Sequence, residues 1–254
     1  MNLNPLEEKW AQYFNSLLEK VATQETEFCT HFADPRQQEI ALQFSRSFSA
    51  CGILFVGGHP GASRARILIF PRSRPPREEK RITPIIISGE FLPGALNHRD
   101  FLGAMLGLGI KQEMVGDILC RETEALAFLM PELAPFMALE LQQVGRYAVK
   151  AVIPDEVPPL FRAEKGGVKE VRGTVASLRL DAVAGLGFGL SRSRITPLVR
   201  GEQVKLNHQV IGQPSRLVKA GDLISLTGRG RVEVVEILGE TRKGRISLKL
   251  NRLI

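Results

Sequence analysis

Apolar residues near the start of the chain recur at the spacing of an amphipathic helix. The stretch PLEEKWAQYFNSLLEKVA, residues 5–22, places a group of large apolar side chains on one helical face. These residues are Leu6, Trp10, Tyr13, Phe14, Leu17, Leu18 and Val21. Pro5 suits a first helical turn, and Glu7 and Glu8 favour the positive end of the helix dipole. The pattern predicts a helix over residues 5–22.

A second helix and two strands follow. Asp34 is a candidate N-cap for a helix that begins at Pro35. The helical spacing points Ile40, Phe44 and Phe48 inward. The stretch GILFVGGHPGASRARILIFP, residues 52–71, then predicts two strands around a Gly-Pro-Gly turn. The proline-rich, charged stretch PRSRPPREEKR, residues 71–81, predicts a linker and the first boundary.

The middle of the chain alternates strand and helix patterns in the order strand, helix, strand, strand, helix, strand. The predicted segments are 82–88, 98–109, 116–122, 125–130, 131–145 (a helix ended by Gly145) and 146–154. This is the order of a ferredoxin-like βαββαβ domain, which many RNA-binding sheets share. Such sheets display aromatic residues on their central strands, and the third strand here offers only Phe128. Two roles stay open for this domain: RNA binding, or service as a scaffold or docking surface.

The last third combines two helical stretches with a run of short strands. Prolines and glycines predict a second linker over residues 154–168. The predicted fold class is therefore α+β and multidomain, with an α/β domain over 1–79, the ferredoxin-like domain over 80–160 and a third domain over 171–254.

Composition restricts the class of protein. The 254 residues are 44% hydrophobic but contain no run of 18 apolar residues, so no membrane span is expected. The N-terminus lacks the basic-then-apolar order of a secretory signal. The three cysteines, Cys29, Cys51 and Cys120, form no CxxC pair, which predicts neither a disulfide framework nor a zinc knuckle. These observations indicate a cytoplasmic protein.

The positive charge is concentrated at one end of the chain. The net charge is +7, yet residues 171–254 hold 15 Lys or Arg against six Asp or Glu, a net charge of +9. The remaining 170 residues are close to neutral. A basic domain beside a neutral body is typical of proteins that bind a polyanion, and we expect RNA.

Several motifs that could indicate an enzyme lack the context that catalysis needs. Gly185, Gly187 and Gly189 spell GxGxG, but a helix-like stretch precedes them where a cofactor loop needs a strand, so a flexible turn between helices is the expectation. Residues 57–61, GGHPG, lack the Gly-Lys-Ser/Thr ending of a phosphate loop, and a hairpin turn is expected there. Cys29-x-His31 offers only half of a metal site. No metal, cofactor or catalytic residue is predicted.

The stretch around Arg179-Leu180-Asp181 supports two interpretations. It resembles the motif that carries the catalytic aspartate of pseudouridine synthases, but only 73 residues follow Asp181, too few for that catalytic domain, so Asp181 is expected to cap a turn or to pair with a neighbouring arginine. The longer stretch from residue 178 resembles the S4 RNA-binding domain. That resemblance rests on Arg179-Leu180-Asp181, Ser191-Arg192, Gly201, Val204-Lys205-Leu206-Asn207 and Lys219-Ala220-Gly221-Asp222. The S4 resemblance covers about 50 residues and implies two packed helices followed by short strands.

Local chemistry agrees with an S4 domain. Ser191 or Ser193 is expected to cap the second helix, whose exposed amides can then face a phosphate. Arg192 and Arg194 stand in its first turn, where the helix dipole opposes them, so both are expected to serve binding and to be dispensable for folding. A packed face is expected from Ile195, Leu198 and Val199, and a kink at Pro197. The predicted RNA-binding residues are Arg179, Ser191, Arg192, Ser193, Arg194, Arg200, Lys205, Asn207, Arg216 and Lys219.

The resemblance extends to a bacterial family. The stretch from Gly57 to Pro71, the block Gly107-Leu108-Gly109-Ile110-Lys111 and the block Gly116-Asp117-Ile118-Leu119 resemble the YlmH-type proteins. Ser63 departs from the pattern, since the family has a glutamate there. The resemblance implies a non-enzymatic factor associated with the large ribosomal subunit, acting in quality control of stalled complexes that hold peptidyl-tRNA. The alternatives are an RNA-modifying enzyme of pseudouridine synthase or methyltransferase type, which would use the S4 domain for delivery, and an adaptor whose N-terminal domains bind a protein partner.

Overall fold

The chain forms two compact units in a computed structural model. The units comprise residues 1–163 and 164–254. The structure describes residues 3–77, 79–158, 161, 168–242 and 244–253. The predicted linker over 154–168 therefore lies partly outside the described residues. Within it, Phe161 is 1% exposed and packs in a hydrophobic cluster of the first unit, where a solvated linker residue was expected.

The amino-terminal part of the first unit packs two helices against a three-stranded antiparallel sheet. Its elements are α1 (Pro5–Gln24), β1 (Phe28–Ala33), α2 (Pro35–Ser45), β2 (Cys51–Val56) and β3 (Ala65–Pro71). β3 lies between β1 and β2. As predicted, Asp34 caps α2, accepting a hydrogen bond from the Gln37 amide at 2.8 Å. Ile40 is buried, whereas Phe44 and Phe48 pack only partly against the core.

The second part has the ferredoxin-like order that the sequence predicts. Its elements are β4 (Thr83–Gly89), α3 (His98–Gly107), a 3-10 turn (Gln112–Met114), β5 (Val115–Arg121), β6 (Glu124–Leu129), α4 (Ala134–Glu140), β7 (Gln143–Val144) and β8 (Tyr147–Val152). The strands lie in the order β5-β6-β4-β8-β7, and every pair is antiparallel. Without the two-residue β7, this is the sheet of a βαββαβ domain.

The predicted helix over 131–145 is too long. α4 ends at Glu140, and β7 pairs with β8 through a two-residue turn, Gly145-Arg146. Gly145 has a φ of +58°, and the strand pairing on either side of it places it in a hairpin turn, seven residues of helix having already ended at Glu140.

Phe128 is covered by the amino-terminal part of the same unit. On β6, Ala125, Ala127 and Leu129 face the core beneath α3 and α4. Phe128 points to the opposite face, is 1% exposed, and stacks on the His59 ring with centroids 5.0 Å apart. The one aromatic residue that the third strand offers is therefore buried, and the sheet face around it serves packing.

His59 fastens the turn between β2 and β3 to the middle sheet. Its Nε2 lies 3.1 Å from the Asp117 carboxylate and its Nδ1 lies 3.0 Å from the Pro60 carbonyl. Both neighbours are acceptors, so both hydrogen bonds form only when the imidazole is protonated on both nitrogens. Asp117 also accepts hydrogen bonds from the amides of Ser63 and Arg64, at 2.6 and 3.1 Å. The GGHPG stretch is a hairpin turn, as predicted. The contact of His59 with Asp117, the His59 clasp, also joins this turn to the middle sheet of the same unit.

The stability of the chain is expected to fall as pH rises above neutrality, because of this clasp. The hydrogen bond to Asp117 raises the pKa of His59 above its usual 6.5, although burial works against it. The stabilisation is therefore complete below pH 6.5 and is lost as pH rises through the folded-state pKa. Urea unfolding at several pH values should show this slope in the wild type and a flatter one in His59→Gln. His31→Gln, which changes a half-exposed histidine of the same unit, is the control; an equal slope in all three proteins would contradict the assignment.

The second unit packs two helices against a six-stranded antiparallel sheet. Its elements are β9 (Val168–Val175), α5 (Leu180–Phe188), α6 (Arg192–Arg200), β10 (Val204–Leu206), β11 (Gln209–Val210), β12 (Leu223–Leu226), β13 (Gly230–Glu240) and β14 (Ile246–Leu253). The strand order is β11-β10-β12-β13-β14-β9. α6 runs on through Pro197 to Arg200, so the proline does not end it.

The GxGxG pattern is helical, and its prediction as a flexible turn is wrong at two positions. Gly185 and Gly187 lie within α5, and only Gly189, with a φ of +65°, ends the helix. A Cβ at Gly187 would lie 2.6 Å from the Val232 side chain. The glycine thus allows α5 to approach the sheet closely, and this packing offsets its low helix propensity.

Across the described residues, no helix combines the length and apolar character needed to cross a bilayer. All three cysteines are free thiols, and burial raises the pKa of Cys120 to about 11.

Candidate nucleic-acid interface

A buried carboxylate joins the two helices of the second unit. Asp181, at the start of α5, is 1% exposed. Arg179 donates to both of its oxygens at 3.2 Å, and Arg192 donates from Nε to Oδ2 at 3.0 Å. Burial alone would raise the pKa of Asp181, but the hydrogen bonds from the two guanidinium groups outweigh it and lower the pKa. The predicted pairing of Asp181 with a neighbouring arginine is correct.

The ion pairs of Asp181 with Arg179 and Arg192, which we call the Asp181 clamp, hold two predicted binding residues in place while leaving them at the surface. The side chain of Arg179 is 36% exposed and that of Arg192 is 61% exposed. Asp181 holds one edge of each guanidinium, which leaves donors free to meet an anion. Arg192 is therefore also a structural residue, which corrects the expectation that it is dispensable for folding.

The first turn of α6 presents open backbone amides beside these arginines. Ser191 occupies the N-cap position, yet its hydroxyl makes no capping bond and lies 2.9 Å from the Ser193 hydroxyl. The predicted serine cap is therefore absent. An anion can take the place of that cap, since the exposed amides and the dipole of the helix start both favour negative charge. Arg194 is exposed in the same turn.

A second buried carboxylate organises the hairpin end of the unit. Asp222, 3% exposed, accepts from the Asn207 side chain at 2.9 Å and from the Lys219 amide at 2.8 Å. The Asn207 side-chain oxygen accepts from the Leu223 amide at 2.8 Å. The Asn207 amide group is thus engaged in holding the β10–β11 turn, where its φ is +48°. The Lys219 side chain remains exposed.

Residues 216–219 connect the surroundings of Asp181 to those of Asp222. The Leu180 amide donates to the Arg216 carbonyl at 2.7 Å, and the Val218 amide donates to the Leu178 carbonyl at 2.8 Å. This pairing places Arg216 next to the Asp181 clamp, while Lys219, three residues on, contacts Asp222. The backbone pairing therefore places the segment from Arg216 to Lys219 beside Arg179, and Asp181 joins Arg179 to Arg192, although these residues are far apart in sequence.

The other predicted cations lie exposed without such anchors. Arg200 stands in the last turn of α6, and Lys205 points outward from β10. A cation in a last helical turn also interacts favourably with the dipole, so Arg200 has a structural explanation as well. For Arg194, Arg200 and Lys205, no ion pair with an acid is found in the described part of the chain.

Sequence reasoning missed Arg245. It donates from Nε to the Thr174 hydroxyl at 2.9 Å and from Nη2 to the Thr174 carbonyl at 2.7 Å. It thereby lines one groove of about 590 Å³ together with Arg192, over a floor that includes Gly185 and Gly189. Arg245 lies after the S4-like stretch, and only the pairing of β14 with β9 brings it to this groove.

Not every basic residue of the unit adds to this surface. On the strands β9 and β14, Glu170 accepts from Arg172 at 2.6 Å and from Lys249 at 2.9 Å. The acid offsets these two cations locally. Arg172 and Lys249 are therefore suitable positions for control variants.

Ile195→Ala should destabilise the chain by about 2–5 kcal/mol, because the side chain is fully buried in the core beneath the helices. Leu198 was expected to be buried too, but it packs only partly against that core. Leu198→Ala should therefore cost less, on the order of 1 kcal/mol. Urea unfolding of both variants measures the difference, and equal losses would contradict this assignment of the buried face.

Comparison with known families agrees with the geometry. The chain matches the family described as "Putative RNA-binding domain in YlmH" over residues 81–154 and the S4 domain over residues 178–224. The S4 match contains the Asp181 clamp, the start of α6 and the Asp222 hairpin.

Some known proteins match most of the chain, and others match a shorter stretch of it. The chain is 34% identical over 229 residues to the Ribosome-associated protein quality control protein P2 of Bacillus subtilis, which covers 88% of this chain and 86% of that protein. It is 38% identical over 71 residues to the small ribosomal subunit protein uS4 of Dechloromonas aromatica, which covers 28% of this chain and 34% of that protein. A solved structure, the cell division protein ylmH from Streptococcus pneumoniae, matches with a TM-score of 0.51 at 21% identity, over 61% of this chain and 94% of that one, and shows a shared fold. Since the similarity to the Bacillus protein spans nearly the whole of both chains, this chain belongs to the YlmH family of S4-domain RNA-binding proteins.

Proposed function

We propose that the chain is a non-catalytic factor that binds structured rRNA on the large ribosomal subunit and acts there on stalled complexes that hold peptidyl-tRNA. Its contacts are to phosphates and to RNA shape more than to base edges. The name of the Bacillus relative, a ribosome-associated quality control protein, supports this role. The proposal places the protein in the cytoplasm and requires no cofactor.

The Asp181 clamp is the observation that carries this proposal. A buried carboxylate holds Arg179 and Arg192 at fixed positions beside the open amides of α6. Two preorganised guanidinium groups and a helix start make a site for consecutive phosphates of an RNA backbone. In the proposed complex Arg194, Arg200, Lys205, Arg216 and Lys219 extend the contact, Ser191 and Ser193 contribute hydroxyls, and Asn207 shapes the adjoining hairpin. We add Arg245 to this surface, since it lines the same groove as Arg192.

The same clamp disfavours the RNA-modifying alternative. A catalytic aspartate must reach its substrate, whereas both oxygens of Asp181 are bonded to arginines and the residue is almost fully buried. The Arg-Leu-Asp motif is accounted for by its role in holding the binding arginines.

The middle domain contributes differently in this proposal. Because Phe128 is buried beneath His59 and the amino-terminal part, base stacking on that sheet face is not available. Any RNA contact of residues 81–154 uses another surface of the domain.

Sedimentation of bacterial extract tests the proposal. Tagged full-length protein should migrate with large subunits in a sucrose gradient at low salt. Arg194→Glu with Arg216→Glu should shift the protein to the top of the gradient, and Arg172→Glu with Lys249→Glu, an equal change of charge, should have a smaller effect. Migration of the wild type with small subunits only, or at the top of the gradient, would overturn the large-subunit assignment.

A further inference from the structure

β2 is an edge strand with apolar side chains at the surface. It pairs with β3 on one side, and its other edge pairs with no strand among the described residues. Leu54 and Phe55 are 46% and 41% exposed, and Leu42 of the neighbouring α2 is 44% exposed. An open strand edge with apolar side chains is a template for another strand.

The register shows which backbone groups of β2 are free. The Arg72 amide donates to the Ala50 carbonyl at 2.8 Å, so the even-numbered residues of β2 exchange hydrogen bonds with β3. The odd-numbered residues point their backbone groups outward. At Cys51 these groups are satisfied by Phe48 and by the Arg72 side chain. For Ile53 and Phe55, no described residue supplies a partner.

A positively charged groove runs along this edge. It has a volume of about 650 Å³ and lies between α2 and the end of β3. Arg46, Arg72 and Arg74 line it, and none of the described acids lines it or forms an ion pair with these three arginines. Arg72 is held by the Cys51 carbonyl and Arg74 by the Glu25 carbonyl, so two of the three guanidinium groups are fixed in place.

We propose that β2 is a docking edge for an extended, acidic segment of a partner protein, which adds a fourth strand to the sheet. The outward N–H and C=O groups of Ile53 and Phe55 provide the main-chain hydrogen bonds of such an addition. The arginines complement acidic side chains of the segment, and the exposed Leu54 and Phe55 meet its apolar ones. A nucleic acid fits this edge less well, since it cannot pair with the alternating donors and acceptors of a strand.

The test uses full-length protein and a fluorescein-labelled peptide of sequence Asp-Val-Glu-Val-Asp-Val-Glu. A twin peptide with lysine at each acidic position is the charge control, and a labelled uridylate decamer is the RNA control.

Anisotropy should show binding of the acidic peptide and no binding of the basic twin. Phe55→Pro should weaken peptide binding about tenfold or more, because one main-chain hydrogen bond and the contact of the Phe55 ring are lost. The β3 ladder should survive this change, since the Phe55 amide points away from β3 and a strand suits the residue before proline. Arg46→Glu should weaken binding about threefold or more, while Arg99→Glu, at an exposed arginine of α3, should not.

The results of these measurements distinguish a protein segment from RNA as the ligand of the groove. Failure of the acidic peptide to bind, or equal binding to wild type and Phe55→Pro, overturns the proposal. RNA binding that Arg46→Glu abolishes and Phe55→Pro leaves intact also overturns it, and assigns the groove to nucleic acid. If Phe55→Pro lowers the melting temperature, hydrogen exchange of the wild type decides instead. The amides of Ile53 and Phe55 should then exchange more slowly with peptide present, and unchanged exchange overturns strand addition.

Discussion

The affinity of the full-length protein for large-subunit rRNA should fall about a thousandfold between roughly 50 and 200 mM salt. Eight cations are proposed for the surface of the second unit, and we take six of the exposed ones as the minimum number of phosphate contacts, each of which releases counterions. These six are Arg192, Arg194, Arg200, Lys205, Arg216 and Lys219. A titration series should give a slope of log affinity against log salt of about −5. A slope near zero would show that binding does not depend on these charges.

Arg194→Gln isolates one of those contacts. The slope should become less steep by about one unit, while stability stays unchanged or rises by roughly 0.3–1 kcal/mol, since the helix dipole opposes a cation in the first turn. Arg172→Gln is the matched control, because Glu170 already offsets that charge. Equal changes of slope in both variants would point to a general charge effect and not to a phosphate at the start of α6.

The sequence predicted the second unit well because its information is local. The Arg-Leu-Asp helix, the turn at Gly189 and the Lys219–Asp222 stretch each depend on residues a few positions apart. Even the pairing of Asp181 with an arginine could be expected. The partner Arg192 was instead predicted to be free, because the geometry that joins it to Asp181 depends on how α5 packs on α6.

The errors occur where distant packing decides the structure. β1 was not predicted, since its sequence FCTHFA lacks the alternation of apolar and polar residues that indicates a half-buried strand. The sequence left open whether Phe128 stacks on RNA, and the structure shows its ring stacked on His59, a residue far from it in sequence. Arg245 carries no local motif and reaches the groove only through pairing between two strands, more than 70 residues apart at the Thr174 contact. A single sequence gives no sign of these long-range contacts.

Removing both arginines from Asp181 should destabilise the second unit far more than removing two other arginines. Arg179→Gln with Arg192→Gln leaves a carboxylate that is 1% exposed without a cation, which should cost about 3 kcal/mol, because a buried charge is expensive without a partner. Adding Asp181→Asn to this pair should restore most of the loss, since a neutral amide needs no cation. Arg194→Gln with Arg200→Gln, the control of equal charge change, should stay within about 1 kcal/mol of wild type.

The acid dependence of these proteins checks the same assignment independently. The arginines lower the folded-state pKa of Asp181 below its usual 3.8, so their stabilisation is present above that pH and is lost as pH falls through the folded-state value. The difference in unfolding free energy between wild type and the Arg179→Gln, Arg192→Gln variant should therefore shrink in strong acid, where a protonated Asp181 no longer needs a cation. Urea unfolding from neutral pH down to about pH 3 measures it. A difference that persists unchanged at the lowest pH would mean that the two arginines stabilise the unit through packing of their side chains and not through the charge of Asp181.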